Sequence, residues 1–132
     1  MNEANVNILI ADHQQNFRVF LRRALEKEQM FKVVAEATDA DQAIYLAGQY
    51  KPELIVMDID MPQGNGLEAA RQIIKTRSPH TKIILLSSLG GEAHNRAAID
   101  SGADAFLTKQ APVAELIALA WGVSNPSRKR PS

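Results

Sequence analysis

The chain has 132 residues, of which 45% are apolar and 23% are charged, and its fifteen basic and fifteen acidic side chains give a formal net charge of zero. This composition fits one globular domain and excludes a disordered chain. The balanced charge argues against a protein that binds nucleic acid with its whole surface. The absence of cysteine excludes disulfides, thiolate metal sites and thiol nucleophiles.

Membrane insertion and secretion are not expected from this sequence. No apolar run approaches the roughly 20 residues that a membrane-spanning helix needs. The first residues, MNEAN, lack the basic and then apolar pattern of a secretion signal. We therefore expect a cytoplasmic protein.

Short apolar runs alternate with segments of helical spacing along the chain. The runs have the length of strands and are nearly continuous at their most apolar, as in strands buried on both faces. Strands are predicted at 6–11, 32–37, 54–57, 82–86 and 103–107. Helices are predicted near 17–25, 39–50, 65–77, 91–101 and 113–121. This order predicts right-handed crossovers and one parallel sheet between two helical layers.

Apolar residues at helical spacing predict the buried faces of the first and last helices. These residues are Phe17, Phe20, Leu21, Ala24 and Leu25 in the first helix, and Val113, Leu116, Ile117, Ala120 and Trp121 in the last.

Local signals at the helix ends support these assignments. Asp39 with Gln42 resembles a capping box at the start of the second helix. Pro112 suits the first turn of the last helix, and Gly102 is typical of a residue that ends the fourth.

Polar residues follow four of the predicted strands. Asp12 and His13 come after the first strand, Asp58 after the third, Ser87 after the fourth and Lys109 after the fifth. Ligands of open parallel sheets bind beyond the carboxyl ends of the strands, so these groups are expected to converge. Carboxylates at close range need a proton or a hard divalent cation. Together with an ammonium and a hydroxyl they suit phosphoryl transfer onto Asp58.

Each of these residues also has an ordinary structural interpretation. Asp58 could form a turn, Asp12 could cap the first helix, and Ser87 could be a strand-end hydroxyl. Lys109 could be a solvated surface lysine, and His13 a residue of the rim that binds nothing.

Four segments taken together resemble the receiver domains of two-component response regulators. They are ILIAD at 8–12, ELIVMDIDMPQGNGLEAA at 53–70, KIILLSS at 82–88 and GADAFLTK at 102–109. The resemblance covers roughly residues 6–121. It implies a flavodoxin-like (βα)5 three-layer sandwich with a parallel five-stranded sheet of order 2-1-3-4-5. GLEAARQI and KQAPVAEL look most like receivers of the LuxR and NarL type, which are attached to a DNA-binding domain.

The resemblance also implies a role for each site residue. It makes Asp58 the phosphoacceptor and places Asp12, with the backbone carbonyl of Asp60, among the groups that hold Mg²⁺. Ser87 is then the switch hydroxyl, and Lys109 bonds a phosphoryl oxygen.

Phe106 takes the position of the switch aromatic, and the responding face is formed by helix four, strand five and helix five. An alternative is that Phe106 only packs, partly buried, against the core. It lacks the hydroxyl that a tyrosine would present.

One residue departs from the family pattern. Receivers usually have two adjacent acids after the first strand, whereas this chain has Asp12 and then His13. Either His13 replaces the second acid, or one aspartate was deleted and the loop adjusted. Imidazole is a poor Mg²⁺ ligand and prefers softer metals, so the hypothesis is weak Mg²⁺ binding. The Asp60 side chain is expected to compensate in part.

The expected organisation is a receiver domain at 1–122 and a polar, basic tail at 123–132, or the start of a linker to an absent output domain. Three consecutive basic residues in this tail are too few to indicate nucleic-acid binding. His80 and His94 receive no role, and Gly64 and Gly66 are expected to permit a tight turn.

The leading hypothesis is a phosphorelay receiver that accepts a phosphoryl group from a sensor histidine kinase or a phosphotransfer protein. It is not expected to be an enzyme beyond self-catalysed phosphotransfer and dephosphorylation. One alternative is an interaction module that no longer depends on phosphate. Another is the sensing half of a LuxR/NarL-type transcriptional regulator. A homodimer could use Leu116, Leu119 and Trp121, unless Leu116 and Trp121 belong to the core.

Overall fold

The computed structural model describes residues 5–62, 65–76, 81–88 and 92–125. Strands and helices alternate through this part of the chain. The strands are β1 (Val6–Ala11), β2 (Phe31–Ala37), β3 (Leu54–Asp58), β4 (Lys82–Ser87) and β5 (Ala105–Thr108). The helices are α1 (Gln15–Glu26), α2 (Ala40–Tyr50), α3 (Gly66–Thr76), α4 (Glu92–Asp100) and α5 (Val113–Ser124).

All five strands lie in one parallel sheet of order β2-β1-β3-β4-β5, which confirms the predicted fold. The register brings the carboxyl ends of the central strands side by side. Ala11 pairs with Met57, and Asp58 pairs with Leu86. Residues that follow β1 and β3 therefore emerge at one edge of the sheet.

Alternate residues of the central strands serve two separate apolar clusters. One cluster, which includes Ile8 and Ile10 of β1, packs against α1 and α5 and is rich in large side chains such as Leu21 and Trp121. The other includes Leu9 of β1 and packs against α2, α3 and α4. Since β1, β3 and β4 are buried on both faces, their near-continuous apolar sequences are explained.

The helices of the second face pack closely because they present small residues to the sheet. These residues are Ala40, Ala43, Ala69, Ala70 and Ala98.

The capping predictions are largely confirmed. Asp39 is the N-cap of α2, and its side chain accepts a hydrogen bond from the Gln42 amide. The reciprocal bond differs from a regular capping box, because Gln42 Oε1 accepts from the Thr38 amide at 2.6 Å. Gly102 follows α4 with φ +95°, and Pro112 is the N-cap of α5.

The fifth strand starts two positions later than 103–107 predicts, at Ala105. The difference arises at Asp104, which bonds to β4 through its side chain as well as its backbone. Its amide donates to Ile83 O at 2.8 Å, and its Oδ2 accepts from Ile83 N at 2.8 Å. A side chain thus supplies an acceptor that a regular strand would take from the backbone.

The predicted buried face of α1 is wrong at Phe20. Leu21 and Leu25 are buried, but Phe20 is 53% exposed. Its ring lies 6.0 Å from that of Phe17, in a groove that α1 forms with Val113 of α5. The apolar stripe of α1 is thus wider than the surface that the sheet covers.

In α5 the predicted face is correct except at its first turn, where Val113 is exposed. Leu116 and Trp121 are each only 6% exposed and belong to the core. This confirms the alternative expectation, in which these two residues are part of the core rather than of a dimer interface. Leu119 packs partly buried against the same cluster.

The predicted tail at 123–132 falls largely outside the described residues, and α5 continues to Ser124 within it. Gly64, His80 and the side chain of His94 are also outside the described part. Within the described segments, every helix is too short or too polar to cross a membrane.

Candidate functional site

The carboxyl edge of the sheet brings two acids and a lysine into direct contact. Asp12 follows β1, Asp58 is the last residue of β3 and Lys109 follows β5. Lys109 Nζ lies 2.7 Å from Asp12 Oδ2 and 3.0 Å from Asp58 Oδ2. Both aspartates are only 1% exposed, so the ammonium bridges two buried carboxylates.

The two aspartates are oriented by the same local turn. Asp12 Oδ1 accepts from the Gln14 amide at 2.8 Å, and Asp58 Oδ1 accepts from the Asp60 amide at 3.0 Å. In each case the side chain bonds the backbone two residues later, as aspartate commonly does at the end of a strand. One oxygen of each carboxylate is thereby fixed, and the other is left to face Lys109.

The position of Lys109 depends on two residues of the first loop and helix. Gln14 Oε1 accepts from Lys109 Nζ at 2.9 Å, and the ammonium lies 4.3 Å from the centroid of the Phe17 ring. The lysine side chain is only 8% exposed. Its solvated-surface interpretation is therefore wrong.

Neither Gln14 nor Phe17 was assigned to the site from the sequence. Phe17 was predicted as part of the apolar face of α1, which it also is, since its ring packs against the core. The Lys109 contact with Gln14 joins residues 95 positions apart, so no local pattern reveals it.

Burial raises the pKa of the Asp58 carboxyl above its usual value of 3.8. The Asp60 amide and the Lys109 ammonium lower it in part, and the charge of Asp12 raises it further. The pocket therefore contains more acidic than basic groups in direct contact, because one ammonium faces two carboxyl groups.

His13 lies on the open side of this pocket. Its Nδ1 is 3.8 Å from Asp58 Oδ2, and its side chain is 44% exposed. One ligand atom each from Asp12, His13 and Asp58 lie within 4.8 Å of one another. These three residues therefore form a potential metal site within the described part of the chain.

The oxygen donors of this group fit Mg²⁺, whereas the imidazole does not. Mg²⁺ requires near-octahedral coordination by oxygen, which carboxylates and backbone carbonyls supply. A histidine in contact distance of Asp58 brings a nitrogen donor that suits other cations better. The fit to Mg²⁺ is therefore partial.

The remaining predicted residues, Ser87, Phe106 and Asp60, have different surroundings. Ser87 ends β4, is fully buried, and its carbonyl accepts from the Lys109 amide at 2.9 Å. Phe106 lies on β5 and packs, partly buried, against the second apolar cluster. The Asp60 side chain is exposed, and its amide serves Asp58.

The Asp12 turn is supported by a charged side chain from α1. Arg18 Nη1 donates to the Asp12 carbonyl at 2.8 Å, and Arg18 Nε donates to Glu36 of β2 at 3.1 Å. The N-cap of α1 is Gln14, so the interpretation of Asp12 as the helix cap is wrong.

The Asp58 turn is closed by Gly66. The Gly66 amide donates to the Ile59 carbonyl at 2.7 Å. A Cβ at this position would overlap the backbone oxygen of Asp58. Gly66 is therefore needed for close approach of α3, a more specific role than the tight turn that the sequence suggests.

The sequence matches the response regulator receiver domain family over residues 8–120. It is 38% identical over 117 residues to the transcriptional regulatory protein DegU of Brevibacillus brevis, covering 89% of this chain and 49% of that protein. It is 35% identical over 102 residues to the chemotaxis protein CheY of Halobacterium salinarum, covering 77% and 82% of the two chains.

Solved structures show the same fold. The receiver domain of the response regulator NarL from Mycobacterium tuberculosis superposes with a TM-score of 0.89 at 26% identity, covering 96% of this chain and all of that one. A LuxR-family response regulator from Aurantimonas sp. SI85-9A1 gives a TM-score of 0.88 at 30% identity, covering 95% and 89%.

The chain spans about half the length of DegU and of the transcriptional regulatory protein YxjL of Bacillus subtilis, 49% and 53% respectively. Receiver domains are the phosphoacceptor modules of two-component signalling and are generally not enzymes. The family match over 8–120, with the carboxylate pair and lysine at the carboxyl edge of the sheet, shows that this chain belongs to the response regulator receiver domains, close to the NarL and LuxR type.

Proposed function

We propose that Asp58 accepts the phosphoryl group, from a phosphohistidine on a sensor histidine kinase or a phosphotransfer protein. The observation that carries this assignment is the Lys109 ammonium, 3.0 Å from Asp58 Oδ2 and 2.7 Å from Asp12 Oδ2. A carboxylate oxygen of Asp58 forms the new bond to phosphorus while the bond to the donor nitrogen breaks and the leaving imidazole takes up a proton. Lys109 stabilises negative charge on the transferred oxygens.

A divalent cation is the proposed second source of positive charge. Asp12, Asp58 and the backbone carbonyl of Asp60 are the proposed ligands of Mg²⁺, which neutralises phosphoryl charge when bound. Because His13 stands beside Asp58 instead of a second acid, we expect weak Mg²⁺ binding.

The direct test is phosphorylation by acetyl phosphate with Mg²⁺, followed by intact mass. The wild type is expected to gain one phosphoryl group and Asp58→Asn none. Asp60→Asn is the comparison variant, because it makes the same change at an exposed side chain two residues away and keeps the backbone carbonyl. It should still gain a phosphoryl group, and any decrease measures what the Asp60 carboxylate contributes to Mg²⁺ binding. Equal phosphorylation of the wild type and Asp58→Asn would contradict the assignment.

The proposed response is a change in the face formed by α4, β5 and α5. Ser87 moves its hydroxyl onto the phosphoryl group and Phe106 turns inward, so that phosphorylation shifts a pre-existing equilibrium. Beryllofluoride titration followed by NMR should shift signals of Asp58, Ser87 and Phe106. Shifts confined to Asp58 would exclude the switch but not the phosphoacceptor.

We also propose that water slowly removes the phosphoryl group in a self-catalysed hydrolysis. A second addition is a cytoplasmic location, where the phosphohistidine donors are available. Loss of the added mass over time after acetyl phosphate is removed measures the first of these. A homodimer that forms on activation is a further proposal, and sedimentation with and without beryllofluoride tests it.

A second candidate function is the receiver half of a LuxR/NarL-type transcriptional regulator. It is favoured by the similarity to about half of DegU, a transcriptional regulatory protein. A native gene product that continues beyond Ser132 into a DNA-binding domain would support it. A product that ends there would contradict it.

The phosphate-independent interaction module is favoured only by His13. Its test is partner binding by Asp58→Asn. Binding equal to that of the wild type before and after acetyl phosphate would support the module and contradict the phosphorelay function.

A further inference from the structure

We infer that the pocket formed by Asp12, His13 and Asp58 selects a nitrogen-binding first-row cation such as Zn²⁺ over Mg²⁺. This inference rests on the proposed function, because it names the cation for the same phosphoacceptor site. It departs from the oxygen-only metal binding that the carboxylates alone would give.

The first argument is the charge of the pocket. Asp12 and Asp58 are each 1% exposed, and Lys109 is the ammonium that contacts both. The nearby Arg18 guanidinium donates to the backbone carbonyl of Asp12 and to Glu36, so its described bonds add no positive charge to the two pocket carboxylates. Two buried carboxyl groups thus share one ammonium, and a bound cation would supply the positive charge that the second carboxyl group lacks.

The second argument is the distance between the donors. His13 Nδ1 lies 3.8 Å from Asp58 Oδ2, and the three candidate ligand atoms lie within 4.8 Å of one another. Ligands of a tetrahedral Zn²⁺ lie about 3.4 Å apart, given bonds of about 2.0–2.2 Å. Rotation of the half-exposed His13 ring can bring its Nδ1 from 3.8 Å to this distance from Asp58 Oδ2. Each carboxylate oxygen has two lone pairs, so the contact with Lys109 can remain.

The third argument is the chemistry of the donor set. Zn²⁺ accepts nitrogen and oxygen ligands, and sites with three protein ligands keep a further position for water or substrate. Mg²⁺ instead requires oxygen ligands in near-octahedral geometry and loses its water reluctantly. One imidazole with two carboxylates therefore matches Zn²⁺ better than Mg²⁺.

The test is a calorimetric titration of the metal-free chain with Zn²⁺ and with Mg²⁺, without a phosphoryl donor. His13→Asp replaces the nitrogen donor with a second acid. We expect this variant to bind Zn²⁺ about tenfold or more weakly than the wild type and Mg²⁺ more tightly, which reverses the preference. His13→Asn should lose Zn²⁺ binding without gaining Mg²⁺ binding.

His80→Ala combined with His94→Ala is the matched control, because it removes the other two imidazoles of the chain and keeps His13. Its Zn²⁺ affinity should equal that of the wild type. A nitrogen-15 NMR spectrum should show the His13 imidazole shifting on addition of Zn²⁺. His13 is 44% exposed, so its variants are expected to fold.

The inference is overturned if His13→Asp leaves the ratio of Zn²⁺ to Mg²⁺ affinity unchanged, or if the control variant loses Zn²⁺ binding. Either result leaves the phosphoacceptor assignment intact, because the mass assay on Asp58→Asn tests that assignment separately. Conversely, a failed mass assay together with a reversed cation preference in His13→Asp would contradict the phosphoacceptor assignment and support the metal site.

Discussion

The turns after β1 and β3 hold their aspartates with the same geometry but are supported in different ways. Asp12 and Asp58 each bond the amide two residues later and each direct Oδ2 toward Lys109. Behind Asp12 stands the guanidinium of Arg18, 2.8 Å from its carbonyl.

Behind Asp58, among the described residues, the support comes from backbone hydrogen bonds. The Ile59 amide donates to the Leu86 carbonyl at 2.8 Å, and the Gly66 amide donates to the Ile59 carbonyl at 2.7 Å. The first turn therefore depends on a charged side chain, and the second depends on the absence of a side chain at Gly66. The two turns should fail under different substitutions.

The largest effect is expected from Gly66→Ala. The added Cβ would overlap the Asp58 backbone oxygen, so α3 or the turn after β3 must move. We expect a loss of about 2–3 kcal/mol in the free energy of unfolding, measured with urea, together with impaired phosphorylation of Asp58.

Gly48→Ala is the control for this substitution. Gly48 lies in α2, and a Cβ there meets no atom within 4 Å. Alanine should raise stability by about 0.5–1 kcal/mol, since glycine is a poor helix former. Equal losses in both variants would show that Gly66 has no special role in the Asp58 turn.

A smaller effect is expected from Arg18→Ala, which removes the support of the Asp12 turn. The Arg18 side chain is only 14% exposed and makes bonds to the Asp12 carbonyl and to Glu36. We expect a loss of about 1–2 kcal/mol in the free energy of unfolding, measured with urea.

Arg22→Ala is the comparison for Arg18→Ala, because Arg22 also pairs with Glu36 but is 47% exposed. Arg22→Ala should lower the free energy of unfolding by only about 0.3 kcal/mol, as for other exposed ion pairs. If both substitutions lower the free energy of unfolding equally, the bond to the Asp12 carbonyl is not what supports the turn.

The smallest effect is the pH dependence of stability that Asp58 contributes. Burial raises the pKa of Asp58, but Lys109 and the Asp60 amide offset part of this increase. A raised pKa means that the folded state holds this proton more tightly than the unfolded state. Asp58 therefore favours folding below its usual pKa of 3.8 and loses that contribution as pH rises through the folded pKa.

Asp58→Asn removes this pH-dependent loss and should be more stable than the wild type at neutral pH. The difference should shrink as the pH falls through the raised pKa of Asp58 and should be gone below 3.8. Urea unfolding with a chelator, at a series of pH values, measures it. Asp60→Asn is the matched control, because it makes the same change at an exposed side chain. A wild type that is the more stable of the two at neutral pH would contradict the prediction.

Much of the fold was predictable because the sheet is buried on both faces. Strands such as Leu54–Asp58 are almost continuously apolar, and short connections left few ways to arrange them. The convergence of Asp12, Asp58 and Lys109 followed from the rule that carboxyl ends of parallel strands share one edge.

What the sequence could not supply was the contact between distant residues of different elements. Phe20 and Leu21 are neighbours with similar apolar character, yet only Leu21 is buried, because burial depends on where α5 packs. The contacts of Lys109 with Gln14 and Phe17 depend on the placement of α1 against β5. The roles of Ser87 and Phe106 stay predictions.

The crowding around Lys109 affects how phosphorylation changes the rest of the molecule. An ammonium carries three N–H bonds, and three oxygen atoms already lie within 3.0 Å of Lys109 Nζ. Nζ donates hydrogen bonds to Asp58 Oδ2 and Gln14 Oε1, and it pairs with Asp12 Oδ2 without a hydrogen bond. A phosphoryl oxygen that enters this crowded shell competes with these oxygens, and the neutral amide of Gln14 is the acceptor least costly to give up. Exchange at Lys109 would therefore free the first residues of α1 and carry the signal to the side of the domain away from α4.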